Sequence, residues 1–416
     1  MRTSTASTAL VALALLSVFA VVRHFHGFSM VDMLVYRAEG EAVANGQDLY
    51  AMRLPGWNLP ATYPPFAAML FVPATWFDIS TLRVLVTLLN VALLALFAHF
   101  SFRLAGWPRQ GHRAGAVLLA TGAGVFLEPV YLTLQYGQIN LVIACLVLWD
   151  LTHDHRFKGV GIGIAIGIKL TPGIFTVYLL LTGRIRAAVV SGVTFLVTAA
   201  IGAVALPGAT YGFWTHYLWD STRVGRIEIV DNQSLRGAVA RLLHTVQPGL
   251  PAVVVAGLAL VAGLVVAVRC YRLGDRRAEA WGVLCTALTA LLISPISWTH
   301  HWIWCVPLLV LLAAEATGRS RGLPYRTALA LVALAFLGRA MWLVPHRDGQ
   351  ELQLAFWQQF GGGVYALTGL GVLVLAGMRT LRSRQPVPEL LVPAQTRGPV
   401  RTREPAQVRE FVAKES

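Results

Sequence analysis

Five short polar segments interrupt the otherwise apolar sequence of this chain, and their residue types could together bind and activate a polar substrate. They lie at 30–36, 62–66, 135–140, 232–237 and 294–301. The first contains Asp32, and a carboxylate in partly apolar surroundings has a raised pKa that suits a general base. The alternative interpretation of Asp32 is an N-cap of the helix that follows it.

A lysine interrupts the apolar stretch at 159–183. Lys169 begins the sequence LysLeuThrPro, and burying a lysine near the middle of a membrane costs about 2.5 to 3.5 kcal/mol. A residue retained at that cost indicates a function, and the start of a second half-helix beside it would suit a phosphate. The alternative is a lysine that extends its ammonium group to the membrane surface.

Two adjacent histidines, His300 and His301, lie in the segment richest in polar and aromatic residues. Neighbouring residues on a helix point about 100° apart, so the pair does not form a zinc site of the i, i+4 kind. One histidine could donate to a phosphate while the other packs. The alternative places both in a tryptophan-rich belt at the membrane interface.

Tyr63 and the segment 232–237 also allow two interpretations each. Tyr63 precedes a Pro-Pro pair and could stack on a sugar or belong to the interfacial aromatic belt. In the second segment, Asn232 or Ser234 could cap a helix while Arg236 reaches an anion. Asn232 also fits a glycosylation sequon, which is a weak signal when isolated.

Composition determines which elements must position these residues. Of the 416 residues, 56% are hydrophobic and 13% charged, which excludes an ordinary soluble domain and a disordered chain. The mean hydropathy is +0.62. The net charge of +14 comes from short loops and the C-terminal tail, so it predicts positively charged cytoplasmic loops and no nucleic-acid partner.

The apolar runs predict an all-α polytopic membrane protein, since they lack the alternation of barrel strands. We expect an uncleaved first helix rather than a signal peptide. Basic residues at both ends of 159–183 favour a broken hairpin that starts and ends in the cytoplasm. The predicted full spans, about ten in number, lie at 7–22, 82–102, 114–127, 139–151, 187–206, 250–268, 280–297, 302–315, 327–344 and 363–378.

This topology places the polar segments on the extracytoplasmic face. It makes 1–378 an integral membrane domain and 379–416 a disordered cytoplasmic tail that could touch anionic lipid. The four cysteines are expected to be small core residues. We found no Walker motif, no GxSxG elbow and no DxD signature, which indicates chemistry without a nucleotide, a cofactor or a metal.

The polar motifs, together with GlyIleLysLeuThrPro at 167–172, resemble in this order those of the actinobacterial polyprenol-phosphate-mannose-dependent α-mannosyltransferases of glycosyltransferase family 87. The resemblance covers roughly 30–305. It implies a GT-C fold in a multi-pass protein of the bacterial plasma membrane. It also implies transfer of mannose from a polyprenyl-phosphate donor to a glycolipid or polysaccharide acceptor, as in phosphatidylinositol mannoside and lipomannan assembly.

By this similarity Asp32 occupies the position of the catalytic base. The resemblance also suggests donor-phosphate contacts at Lys169, His300, His301 and Arg236, and substrate contacts at Tyr63, Gln135, Gln138, Asn140, Asn232 and Gln233. Two alternatives stay open. The sugar could be arabinofuranose, which some relatives transfer, or the protein could transport lipid-linked sugars, which the broken hairpin would favour.

Overall fold

The computed structural model describes residues 5–108, 110–318 and 322–382, and most of these residues are helical. Within them the strands are β1 (Arg53–Leu54) and β2 (Leu59–Pro60), an antiparallel pair with Arg53 opposite Pro60. The α-helices are α1 (Thr5–His26), α2 (Val31–Ala44), α3 (Pro65–Leu70), α4 (Ile79–Ala105), α5 (Gln110–Gly124), α6 (Glu128–Tyr136), α7 (Asn140–Thr152), α8 (Val160–Ile168), α9 (Gly173–Leu181), α10 (Ile185–Ala205), α11 (Pro207–Gly212), α12 (Leu235–Leu242), α13 (Gly249–Arg272), α14 (Ala278–Ile293), α15 (Cys305–Ala316), α16 (Gly322–Leu337), α17 (Gln358–Gly362) and α18 (Val364–Arg382). The shorter 3-10 and π turns include the 3-10 segment Thr299–Trp304, which carries the two histidines.

The number of full membrane spans is smaller than expected. Six helical stretches of the described chain are long and apolar enough to cross a membrane, namely α1, α4, α10, α13, Thr299–Ala316 and α18. A seventh candidate is the pair α5 and α6, which is bent by 73°. The remaining predicted spans correspond to α7, α14 and α16, with 13, 16 and 16 residues. At about 1.5 Å per residue these helices fall short of a hydrocarbon core about 30 Å thick.

The broken hairpin at 159–183 is confirmed. Glycines recur every fourth residue along α8, and a Cβ atom on Gly159 or Gly167 would lie 2.2 Å from the Ala187 oxygen or 2.3 Å from Thr198 Oγ1. This glycine stripe lets α8 pack closely along α10 in the same direction. The chain then reverses, because the hydroxyl of Thr176 on α9 lies 2.7 Å from that of Ser191 on α10.

The reversal places Lys169 at the tip of the hairpin. The other end of the hairpin is fixed at the C-terminal end of α7, where the carboxylate of Asp150 accepts a hydrogen bond of 2.8 Å from the backbone nitrogen of Ile162. Since α7 begins at Asn140 beside the histidine segment, the hairpin carries its tip from the Asp150 end of α7 back to the Asn140 end.

The polar segments converge at that end of the molecule. Helix α2 packs on the short helices at 65–76, and α6 packs on Thr299–Trp304. Helix α18 continues to Arg382, so its last turn includes residues assigned from sequence to the tail. The rest of the predicted tail, 383–416, lies outside the described residues.

Candidate functional site

Asp32 lies in the first turn of α2, and its carboxylate faces the other polar segments. The N-cap position of α2 belongs to Met30, which has a left-handed backbone (φ 53°) and no capping hydrogen bond from its side chain. The N-cap interpretation of Asp32 is therefore wrong. Instead, Asp32 Oδ2 accepts a hydrogen bond of 2.6 Å from Gln138 Nε2, and the aspartate remains partly exposed.

Gln138 is the central residue of the cluster. Its Oε1 accepts a hydrogen bond of 2.9 Å from the hydroxyl of Tyr36, and its Nε2 lies 3.2 Å from His300 Nε2. Because the amide nitrogen donates one hydrogen to Asp32 and the other to His300, the imidazole accepts at Nε2 and carries its proton on Nδ1. That buried Nδ1 has no hydrogen-bond partner among the described residues, so it is a donor without an acceptor.

Lys169 and His301 form the second half of the cluster. The Lys169 ammonium lies 3.0 Å from His301 Nε2 and 5.7 Å from the centre of the Tyr63 ring. The Tyr63 hydroxyl is 3.0 Å from that of Tyr36, which connects the lysine back to the amide of Gln138. Tyr63 is buried, so its assignment to the interfacial belt is wrong.

The electrostatic environment of Asp32 suits proton abstraction. Burial raises the pKa of its carboxyl to about 6, and the negative charge of Asp231 also raises it slightly. The hydrogen bond from Gln138 and the positive charge of Lys169 lower the pKa and so limit the shift. The group is therefore mostly ionised at neutral pH yet more basic than an ordinary aspartate.

Backbone contacts hold the histidine segment in place. The carbonyl oxygen of His300 accepts hydrogen bonds from Asn140 Nδ2 at 3.1 Å and from Thr133 Oγ1 at 3.2 Å. At the start of the segment, Asp231 Oδ1 accepts from the Thr299 nitrogen at 3.1 Å. Asn140 thus positions His300, and a contact of its amide with substrate stays a prediction.

The side-chain amides of Asn232 and Gln233 form structural hydrogen bonds to backbone atoms of other segments. Asn232 Oδ1 accepts from the backbone nitrogens of Ser234 and Ser297, and Gln233 Nε2 donates to the Gly362 oxygen at 2.7 Å. Both side chains are fully buried, so these amides fix the loop at 228–234 beside the histidine segment. The helix-capping residue is Ser234, whose hydroxyl accepts from Gly237 at 3.0 Å.

The side chains of Arg236 and Gln135 make no hydrogen bond with the cluster in the described chain. Arg236 donates to the hydroxyl of Ser221 at 3.3 Å, and within the described chain no hydrogen bond joins it to Lys169 or the histidines. Gln135 contributes its backbone oxygen, which accepts from the Met30 nitrogen at 2.9 Å. Its partly exposed side chain has no recorded partner in the described ranges.

Three residues of the site were absent from the sequence prediction. Tyr36 and Glu39 follow Asp32 by four and seven residues, a spacing that places all three on one face of α2. Glu39 is fully buried and its Oε1 accepts from the Thr62 nitrogen at 3.2 Å, next to Tyr63. The helical spacing could have identified both. Asp231 adjoins the predicted Asn232 but has no periodic signal of its own.

A cleft opens beside Lys169. Its polar end has Lys169, His301 and Asn140, and most of the remaining wall is apolar. The apolar part lies between α7, α9 and α14, with lining residues that include Val147, Phe175 and Leu291. In the described ranges no three His, Cys, Asp or Glu side chains are grouped as a metal site, and metal independence stays a prediction.

Comparison with known proteins connects this site to an enzyme family. The chain is 32% identical over 391 residues to a polyprenol-phosphate-mannose-dependent alpha-(1-2)-phosphatidylinositol mannoside mannosyltransferase of Mycobacterium tuberculosis, covering 88% of this chain and 89% of that protein. It is 33% identical to a polyprenol-phosphate-mannose-dependent alpha-(1-2)-phosphatidylinositol pentamannoside mannosyltransferase of the same species, covering 86% and 84%.

Among solved structures, the crystal structure of ArnT from Cupriavidus metallidurans bound to undecaprenyl phosphate matches with a TM-score of 0.40 and 19% identity, over 88% of this chain and 77% of ArnT. The family model described as glycosyltransferase family 87 matches residues 61–295, which include every predicted site residue except Asp32, His300 and His301. With relatives of at least 30% identity along most of its length, the chain belongs to glycosyltransferase family 87.

Proposed function

We propose that this chain transfers mannose from polyprenyl-phosphate-mannose to a lipid-anchored acceptor, with Asp32 as the general base. The names of its relatives support the donor and the sugar, since both mycobacterial enzymes are polyprenol-phosphate-mannose-dependent mannosyltransferases. The single observation that carries the catalytic proposal is the bridge from Asp32 through Gln138 to His300. This bridge supports the proposal, because the Asp32 carboxylate then lies beside a histidine segment that also contacts a lysine.

The proposed reaction is an inverting displacement. Asp32 removes the proton from the acceptor hydroxyl while that oxygen attacks the anomeric carbon, and the bond from that carbon to the phosphate oxygen breaks. The proton ends on the Asp32 carboxyl and polyprenyl phosphate leaves from the opposite face of the sugar. A β-linked donor then gives an α-mannoside.

The leaving phosphate requires donors fixed before the reaction begins. Lys169 and His301 lie 3.0 Å apart at the polar end of the cleft, and the free Nδ1 proton of His300 is a further donor. Groups held in place at a buried site stabilise the charge that grows on the phosphate more strongly than water does. The apolar remainder of the cleft, between α7, α9 and α14, suits the start of the polyprenyl chain.

The active site would face the extracytoplasmic side, with the C-terminal tail in the cytoplasm. The arginine-rich sequence at 269–277 joins α13 to α14, and the positive-inside tendency favours a cytoplasmic position for it. A labelling experiment tests this orientation, since all four native cysteines are buried. In intact cells a membrane-impermeant maleimide should label Asn45→Cys, at the end of α2, and spare Asp154→Cys, which follows the last turn of α7.

Activity assays test the enzyme itself. Purified protein should transfer mannose from synthetic polyprenyl-phosphate-mannose to a phosphatidylinositol mannoside, and Asp32→Asn should lose that transfer. Preference for polyprenyl-phosphate-arabinose would change the sugar and keep the reaction. Movement of intact lipid-linked sugar across vesicles, without transfer, would identify a transporter and overturn the proposal.

A further inference from the structure

A second apolar groove lies between α16 and α18, away from the cleft beside Lys169. It is lined by apolar and small side chains from Pro324 at one end to Ala340 at the other. On α18 its lining runs from Val364 to Met378. At about 1.5 Å per residue the groove is roughly 21 Å long, which exceeds one leaflet of a hydrocarbon core about 30 Å thick.

One end of the groove carries a positive charge. Arg339 lies between the lining residues Gly338 and Ala340, is exposed, and makes no ion pair with the described acidic residues. Its guanidinium lies 4.6 Å from the centre of the Tyr131 ring. The carboxylate of Glu128, on the same helix as Tyr131, is occupied by hydrogen bonds from Trp342 and Tyr365. Arg339 interacts electrostatically with Glu128 but makes no ion pair within the described chain, so its exposed guanidinium can bind an anion beside the groove lining.

Aromatic and basic side chains extend from Arg339 and Tyr131 to the loop that precedes Asp32. The centres of the Tyr131 and Phe28 rings lie 5.5 Å apart. The guanidinium of Arg23 lies 5.5 Å from the centre of the Phe28 ring. Phe28 lies in the short loop between α1 and α2, four residues before Asp32. Two arginines thus contact the two rings of one aromatic pair, which lies at the loop before α2.

The same helix offers a group for sugar hydroxyls on this path. Gln135 follows Tyr131 by four residues, so both lie on one face of α6. The amide of Gln135 is partly exposed and has no recorded partner in the described chain, while its backbone contacts Met30, two residues before Asp32. Amide groups hydrogen-bond sugar hydroxyls as both donors and acceptors.

From this arrangement we propose that the groove between α16 and α18 binds the acyl chain of the acceptor glycolipid, with its phosphate at Arg339 and its sugars extending past Gln135 to Asp32. This inference rests on the proposed function, which assigns the Lys169 cleft to the donor. A transferase with two lipid substrates needs two lipid-facing entries, and the structure offers these two on different helix pairs. An anionic glycolipid with a long chain matches the charge and length of the second.

A matched pair of glycine substitutions tests the groove. A Cβ atom added at Gly371, which lines the groove, would have no heavy atom within 4 Å, and the same holds at Gly257 on the exposed surface of α13. Gly371→Phe should raise the KM for a diacyl phosphatidylinositol mannoside about tenfold, whereas Gly257→Phe should leave it unchanged. The KM for polyprenyl-phosphate-mannose, and the rate with a water-soluble mannoside acceptor, should be unchanged in both.

Arg339→Gln should likewise raise the KM for the anionic diacyl acceptor and leave the rate with the soluble mannoside unchanged. Binding of the diacyl phosphatidylinositol mannoside can also be measured without turnover, on full-length protein in nanodiscs. Gly371→Phe and Arg339→Gln should bind it more weakly than wild type and Gly257→Phe do. An increase confined to the donor KM, an equal loss with both acceptors, or unchanged acceptor binding by Gly371→Phe would each overturn the inference. Absence of mannose transfer by the wild type, with glycolipid binding still weakened by Gly371→Phe, would instead contradict only the proposed function.

Discussion

The side-chain amide of Gln138 donates a hydrogen bond of 2.6 Å to Asp32, although 106 residues separate them in sequence. The same amide contacts His300, so one neutral group joins the carboxylate of α2 to the histidine segment. A neutral donor stabilises the ionised carboxylate without adding a charge. Burial acts in the opposite direction, and the balance raises the pKa to about 6, which is useful for a base at neutral pH.

Replacing Asp32 tests its assigned function directly. Asp32→Asn keeps the size of the side chain but cannot take a proton, so turnover should fall by about 10² to 10⁴, the usual contribution of a general base. Mannose transfer by purified protein at saturating donor and acceptor measures this loss. Glu41→Gln, on the exposed surface of the same helix, is the control and should keep wild-type turnover. Retention of normal turnover by Asp32→Asn would exclude it as the base.

Tyr36 determines which end of the Gln138 amide faces Asp32. Its hydroxyl donates to Gln138 Oε1 at 2.9 Å, so Tyr36→Phe removes the contact that fixes the oxygen away from the carboxylate. If the amide rotates, its oxygen repels the ionised form of Asp32 and raises the pKa above about 6. Because the base must be ionised, the acidic limb of the pH profile of kcat should move to higher pH.

A loss of folded protein alone would lower activity without moving the acidic limb, so the pH profile separates positioning from stability. Tyr325→Phe, which changes a tyrosine remote from the Gln138 network, should leave the limb where it is. An acidic limb at the same pH in Tyr36→Phe and wild type would show that Tyr36 does not orient the amide.

Lys169 is predicted to act on the donor phosphate. Lys169→Gln removes the charge at the tip of the hairpin, so kcat/KM for polyprenyl-phosphate-mannose should fall strongly while the acceptor KM changes little. The matched control is Lys158→Gln at the base of the hairpin. That lysine pairs with exposed Asp154 at 3.3 Å, a contact worth about 0 to 1 kcal/mol at most. Equal effects of the two substitutions would argue against a phosphate contact at Lys169.

The hairpin could be predicted from sequence because its signals are local. The basic residues that flank 159–183 and the LysLeuThrPro interruption inside it are close together in sequence, so a short window contains the whole signal. The length of the spans could not be predicted as well, because α7 ends at Thr152 after only 13 residues. Near that end the Asp150 carboxylate accepts a hydrogen bond from the first turn of α8. Hydropathy alone cannot distinguish such a helix from a full span.

The site required contacts that no local pattern contains. Gln138 and Asn232 are both amides in polar motifs, yet the first contacts the carboxylate and the second fixes a buried loop. Residue type gives the same prediction for both, and only the fold determines which amide remains near the cleft. Arg236 illustrates the same limit, since a guanidinium near the site in sequence contacts Ser221 instead.

Glu39 gives the folded protein a dependence on pH that can be measured without substrate. The carboxyl is fully buried, and burial raises its pKa to about 8 despite hydrogen bonds from the backbone nitrogens of Thr62 and Tyr63. Its pKa in the unfolded chain is about 4.3, so between these values the folded state binds the proton more tightly. Stability should therefore fall as pH rises from about 4.3 to about 8, by up to about 1.4 kcal/mol per pH unit.

The variant Glu39→Gln isolates this contribution, because an amide is neutral at every pH and still has an oxygen for the Thr62 nitrogen. Thermal unfolding of the solubilised protein between pH 5 and pH 8 should show a smaller decrease in Tm for Glu39→Gln than for wild type. Glu41→Gln, two residues away and exposed, should keep the wild-type dependence. Parallel curves for Glu39→Gln and wild type would mean that Glu39 has the same proton affinity in the folded and unfolded states. That result would contradict the predicted effect of burial on its carboxyl.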